Sequence, residues 1–297
     1  MELLWRLESI RTPFWDNFFG LVTRFGEEML LIVVFCVVYW CVNKRMAYVL
    51  GIAFFLSGLI VQGLKILTQI PRPWVADPTF NPVGGATYAA TGYAFPSGHT
   101  ANAAAYLGAL GVQVKQKIFK SVLFTLVALV AFSRLYLGVH YLSDVLVSLA
   151  ITFAVILVSV KIITEEPVCK KRDLLLPMFI ALIALVVIVI AAVYYHRDLT
   201  APFQLRDGTR VAGAALGFAI GMFVERNYIK FSTKAKNLPL QIIKPVLGIA
   251  GTVAIQEIVR AIGTGLIIDA ARYFFMVTWI TIAFPLIINR FFARKTE

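Results

Sequence analysis

The chain has 297 residues, of which 60% are hydrophobic and only 15% charged. A soluble domain carries about 25% charged residues, so this composition excludes an ordinary globular enzyme and points to a protein of the bilayer. The net charge of +12 would suit a nucleic-acid binder, but its distribution along the chain excludes that reading too.

The N-terminal stretch MELLWRLESIRTPFWDNFFG carries acids and lacks the small-residue cleavage site of a secretory signal. Residues 1–27 read instead as an amphipathic helix in the interface, anchored by Trp5, Phe14, Trp15, Phe18 and Phe19; a short extra core helix is the plainer alternative. Nine apolar segments follow, at about 28–42, 46–67, 99–115, 119–139, 141–163, 174–195, 208–228, 241–262 and 269–290. Most approach the roughly 20 residues that cross a bilayer. Glu257, Arg260, Asp269 and Arg272 interrupt the last two. Alternation with period two is absent, so a membrane barrel is excluded and an all-α integral membrane protein expected. Cys36 and Cys41 share one segment and Cys169 sits in a basic turn, with no CxxC and no Cys/His cluster. Neither a disulfide framework nor a zinc or iron–sulfur site is indicated.

The basic residues supply the orientation. The turns at 43–45, 115–120, 161–173 and 225–237, with Lys244 and the tail from Asn289, hold 17 of the 28 Lys and Arg but only five of the 16 acids. These are every second loop, and the rest of the chain balances at 11 of each sign. By the positive-inside rule this face is cytoplasmic, which places the N-terminus outside and the C-terminus inside for nine spans. The charge is a topology signal, not a nucleic-acid footprint. Gly213, Gly217 and Gly221, at spacing four, mark a face for close helix packing, intramolecular or between copies in an oligomer.

One outer connection is long and polar. Residues 68–98, TQIPRPWVADPTFNPVGGATYAATGYAFPS, far exceed a usual loop of about 4–6 residues. Trp74, Phe80, Tyr88 and Tyr93 within it argue against disorder and suit a lid or specificity element. Three polar stretches meet on this side. In KILTQIPRP, Lys65 precedes Arg72 by about two helical turns, and Pro71 and Pro73 end the helix and stiffen the segment that carries Arg72. In FPSGHT, Ser97 and Gly98 open a helix whose free N–H groups suit an anion, with His99 in its first turn. In SRLYLGVHYLSD, His140 and Asp144 are i and i+4, within reach on one helical face, and Arg134 adds a cation. Each stretch alone has an ordinary reading: a snorkelling lysine, an interfacial histidine at an N-cap, a buried ion pair. Together, three cations and a helix N-terminus call for a multiply charged anion such as phosphate. A histidine oriented by an acid, plus a second histidine, supplies chemistry for cleaving it.

K(x6)RP at 65–73, PSGH at 96–99 and SR(x5)H(x3)D at 133–144 resemble the three-part signature of the type 2 phosphatidic acid phosphatase superfamily, lipid phosphate phosphatases whose site vanadium haloperoxidases share. The resemblance implies a six-helix core over residues 28–195 with active-site loop 68–98, leaving 196–297 as a C-terminal membrane extension of about three helices without an assigned role. It implies His140 as the nucleophile forming a phosphohistidine, Asp144 as its orienting acid and His99 as the proton donor. Lys65, Arg72, Ser97, Gly98 and Arg134 would hold the phosphoryl oxygens. No metal or other cofactor is implied, and these motifs offer a single carboxylate, too few for a magnesium cage. The expected substrate is a lipid phosphate or a polyprenyl pyrophosphate, cleaved at the outer face of, by expectation, a bacterial plasma membrane. A lipid phosphotransferase would use the same phosphoenzyme, and a transporter would need its charges near the midplane of several spans.

Overall fold

The computed structural model describes residues 1–88, 90–163 and 170–292, apart from the side chains of 170–172. Cys169 and the acids Glu165 and Glu166 of its basic turn lie outside the described residues. Helices follow one another throughout: α1 (Glu2–Ser9), α2 (Pro13–Val22), α3 (Glu28–Val37), α4 (Lys44–Thr68), α5 (Pro73–Ala76), α6 (Gly98–Ala103), α7 (Ala109–Gln113), α8 (Lys117–Tyr136), α9 (Leu142–Ile162), α10 (Lys170–His196), α11 (Pro202–Val224), α12 (Leu238–Ile262), α13 (Leu266–Thr278) and α14 (Phe284–Ile287). Wide π turns at Val38–Val42, Ala104–Gly108, Glu225–Ile229, Trp279–Ala283 and Ile288–Phe292 extend α3, α6, α11, α13 and α14.

All nine expected segments are helical, but they differ in their fitness to cross a bilayer. Among the described residues, six helical segments are long and apolar enough, and a seventh joins the set if Pro13–Gly26 and Glu28–Val42, bent by 48°, form one span. The segment around α6 and α7 is short because it starts only at Gly98, and α11 opens with Arg206, Asp207 and Arg210. The N-terminal segment also departs from a single surface helix. It breaks into α1 and α2 at Thr12, whose side chain caps α2 ahead of Pro13. Trp5, Phe14, Trp15 and Phe18 remain exposed, whereas Phe19 is buried against Tyr136, with ring centroids 4.5 Å apart.

The connections sort into two ends. At one, Lys44 pairs with Glu225 at 2.8 Å, Arg226 with Asp173 at 2.9 Å, and Asn289 donates to the Ile229 carbonyl at 2.8 Å. Arg45 donates there to the Ile163 carbonyl at 2.9 Å, so the turns at 43–45 and 225–237, both ends of the turn at 161–173 and the tail from Asn289 share this end. At the other, Gln69 reaches the Leu199 carbonyl and Arg206 pairs with Asp269. The motifs occupy this second end. Glu257 and Arg260 are both more than half exposed on α12 and 3.8 Å apart, not buried on the interior path a transporter would need.

Between the ends, α4 runs through the middle against α9, α10 and α11, and its sixteen buried residues include Phe54 and Phe55. In a bilayer, apolar burial does not by itself drive helices together; close packing does. The glycine face of α11 is therefore decisive. Side chains at Gly213, Gly217 and Gly221 would run into Ala270, Phe274 and Thr281. This face is filled by α13 and the turn after it, the intramolecular packing of the two the spacing allowed. Trp40 donates to the Ile280 carbonyl at 3.0 Å and ties α3 to the same C-terminal segment.

Candidate active site

Local sequence determines how each motif is presented. α4 stops at Thr68, where Gln69 turns left-handed as its cap, and Pro71 and Pro73 hold Arg72 in an extended conformation before α5. Ser97 caps α6, accepting from the Thr100 hydroxyl at 2.9 Å, while its own N–H donates to the Asp144 carbonyl at 3.1 Å. The second and third motifs are thereby joined through backbone. Gly26 lets the turn after α2 lie against His99: a Cβ there would stand 2.8 Å from the His99 carbonyl oxygen. Asn102 donates to the Gly26 carbonyl at 3.2 Å across the same contact.

His140 and Asp144 meet, though not as helical neighbours. α9 begins at Leu142, so His140 lies in the turn ahead of it and Asp144 in the first turn. Asp144 Oδ2 accepts the Tyr141 N–H at 2.8 Å and faces His140 Nδ1 at 3.2 Å. One carboxylate thus caps the helix and orients the imidazole. Gly138, with φ of +75°, makes the turn possible; a Cβ there would crowd Phe80 at 2.7 Å.

Arg72 determines the imidazole's tautomer. Its Nη1 lies 2.8 Å from His140 Nε2, and a guanidinium can only donate. Nε2 is therefore the bare acceptor nitrogen, and Nδ1 carries the proton toward Asp144. Of the five Arg72 N–H groups, three donate to the carbonyls of Gly92 (3.0 Å), Val139 (2.8 Å) and Thr91 (2.6 Å). One of the remaining two meets Nε2, and the last, on Nη2, is free for a ligand. Burial, and then the charges of Arg72, Arg134 and Lys65, push His140 well below the ordinary imidazole range. It therefore stays neutral.

Lys65, Arg72, Gly98, His99 and His140 line one cavity of about 280 Å³. Lys65 Nζ donates to the Tyr93 carbonyl at 2.5 Å, and His99 Nε2 is buried with no hydrogen-bond partner among the described residues. Two expected members stand back from this cavity. Ser97 is wholly buried as a cap. Arg134, 1% exposed, borders a neighbouring cavity with Thr23, to whose hydroxyl Nη1 donates at 2.5 Å. Its Nε and Nη2 find no partner among the described residues. Phe80 is no lid either: it is buried, edge-on to Trp5 at 5.3 Å.

The cavity also has walls that the motifs did not reveal: Glu28 of α3, Gln62 one turn before Lys65, Asn102 one turn after His99, Thr91, and Asp207 and Arg210 of α11. Helical spacing from the motifs could have raised Gln62 and Asn102. No local signal marks Glu28, Thr91, Asp207 or Arg210.

Residues 45–168 match the model of the PAP2 superfamily, and residues 209–296 match that of the PAP2 superfamily phosphatase transmembrane extension. A lipid A 4′-phosphatase from Porphyromonas gingivalis is 27% identical over 160 residues, covering 50% of this chain and 66% of the relative. The chain thus spans slightly less than two thirds of that relative's length. The crystal structure of LpxE from Aquifex aeolicus is similar at 26% identity with a TM-score of 0.48, over 54% of this chain and 93% of that one.

Proposed function

Because this multi-pass membrane protein carries a PAP2 superfamily domain followed by that superfamily's transmembrane extension, we propose that it is a metal-independent lipid phosphate phosphatase acting through a phosphohistidine. The observation that carries this reading is His140, neutral, held between Asp144 and Arg72 with its unprotonated Nε2 against Arg72, in the lining of a cavity that also holds Lys65 and His99. On substrate binding, the phosphoryl oxygens take the two Arg72 N–H groups that are not bound to carbonyls, together with Lys65 and the Gly98 N–H. This frees Nε2 to attack phosphorus. The P–O bond breaks with its electron pair on the leaving oxygen, which takes a proton from His99, present as the imidazolium in the complex where the bound phosphate offsets the surrounding cations. Water then gives a proton to His99 and attacks phosphorus, and the P–N pair returns to Nε2 as phosphate leaves. Asp144 supports the imidazolium character of the phosphorylated ring, and positioning and charge carry the catalysis. Arg134, bordering the neighbouring cavity, adds its positive charge to the site.

The cation count favours a monophosphate over a pyrophosphate. Arg210 is the one cation on the cavity wall besides Lys65 and Arg72 among the described residues, and it is engaged by Asp207 and Asp269, each at 3.4 Å. Among the other polar lining groups, Glu28, Gln62 and Asn102 suit hydroxyls better than a second phosphate. The substrate in the relative's name, lipid A with a 4′-phosphate, accords with a phosphate carried on a polar head. The basic turns at the opposite end agree with a site on the outer face.

A panel of lipid monophosphates and polyprenyl diphosphates, assayed in detergent with a chelator present, tests the reading. Phosphate release from monophosphates, inhibited by vanadate, is expected; a strict magnesium requirement or no release from any of them overturns it. The pH profile is a second test. A depressed imidazole pKa extends the neutral, nucleophilic form toward acid, so the acid limb of kcat/KM, corrected for the substrate's own ionisation, is expected below the usual histidine value of about 6.5. A limb above it contradicts the neutral His140.

A further inference from the structure

Three consecutive carbonyls hold both cations of the first motif. Arg72 Nη2 donates to Thr91 at 2.6 Å and Nε to Gly92 at 3.0 Å, and Lys65 Nζ donates to Tyr93 at 2.5 Å. These carbonyls belong to the stretch between α5 and α6, whose described residues form no helix or strand. Something must keep them in line. Within the core, the Ala94 N–H donates to the Ile70 carbonyl at 2.8 Å. The side chains of Thr91 and Tyr93, and of Gln69 beside them, tie to the C-terminal extension. The Thr91 hydroxyl donates to Asp207 Oδ2 at 2.6 Å, the Tyr93 hydroxyl pairs with that of Thr200 at 2.6 Å, and Gln69 Nε2 donates to the Leu199 carbonyl at 3.2 Å.

We propose that Asp207 is a positioning residue for the phosphate-binding cations, with Thr200 as its companion: the start of the extension holds the carbonyl triplet that aims Arg72 and Lys65. This assigns the extension a part in the active site, and it rests on the phosphatase reading above. The relay is short. One hydrogen bond separates Asp207 from Thr91, and one more separates Thr91 from the guanidinium beside His140. Preorganised donors lose much of their value when displaced by about 1 Å, so a slack triplet weakens transition-state binding more than ground-state binding.

Asp207 also lies 3.4 Å from Arg210 and lines the cavity itself, so a role through charge alone is the competing account. The two differ in sign. Removing a carboxylate near a phosphate site raises anion affinity if only charge matters, and lowers it if the cations lose their aim.

The test is Asp207→Ala, Asp207→Asn and Thr91→Val in the full-length protein. Asp207→Ala is expected to lower kcat/KM roughly ten- to a hundredfold, chiefly in kcat, and to weaken vanadate inhibition in parallel. Asn keeps an acceptor for the Thr91 hydroxyl, so Asp207→Asn is expected to restore most of the loss. Asp207→Ala combined with Thr91→Val is expected to be no worse than the more damaged single variant, as for two ends of one hydrogen bond. Tighter vanadate binding in Asp207→Ala, identical behaviour of Ala and Asn, or independent multiplication of the two losses would overturn the proposal. If Asp207→Ala does not fold, Thr91→Val and Asp207→Asn decide by the same signs. Failure of the wild type to release phosphate from any lipid of the panel defeats the phosphatase reading instead.

Discussion

Replacing His140 by alanine is expected to remove phosphate release by a factor on the order of 10⁴ or more, because the covalent route through its imidazole is lost. That imidazole is held between an acid and a cation, with the nitrogen that faces Arg72 unprotonated. The variant is expected to remain folded. Asp144 keeps the Tyr141 N–H, and Arg72 keeps its three carbonyls. Acid–base trapping gives the sharper readout. With substrate labelled on phosphorus, wild-type protein quenched in base is expected to retain label that acid then releases, as a phosphoramidate does. His140→Ala is expected to retain none. A variant with more than about one hundredth of wild-type turnover, or one still labelled, places the nucleophile elsewhere.

Arg72→Lys is the second substitution with a large expected effect, although it preserves charge. The guanidinium offers five N–H groups in a fixed plane, and the site uses that number: three to carbonyls, one to His140, one free. An ammonium has three donors and no plane, so it cannot both keep the carbonyls and present a fork to phosphate. The expected loss in kcat/KM is about 10²- to 10³-fold, with a parallel loss of vanadate affinity. A loss below threefold would mean that charge alone suffices and that the carbonyl anchoring is incidental. Lys65 has a simpler part, a point charge on one carbonyl, so Arg72 is the better probe of geometry.

Much of the chemistry is legible along the chain because its determinants are local. Pro71 and Pro73 end α4 and stiffen the segment of Arg72 whatever surrounds them, and Ser97 caps the helix that follows it in sequence. The reach of Asp144 to His140 also survives, although through a turn and a helix cap instead of a shared helical face. Other features depended on what came to lie opposite. Nothing near Arg134 in sequence says that its first partner is Thr23, or that it borders a cavity next to the one lined by His140. Phe80 reads as an exposed lid aromatic until Trp5, from the first helix, covers it.

By itself the sequence determined that the chain belongs in a membrane, where its polar motifs fall, and which residue types could handle phosphate. Composition, proline and capping chemistry act within a few residues of themselves and need no partner. Tertiary structure alone decided that the bare nitrogen of His140 is the one Arg72 faces, that the glycine face of α11 is filled by α13, and that Asp207 supports the loop around Arg72. Those outcomes depend on which helices pack together. Between helices of nearly uniform apolar character, that choice is made by shape over the whole interface, and no short stretch of sequence contains it.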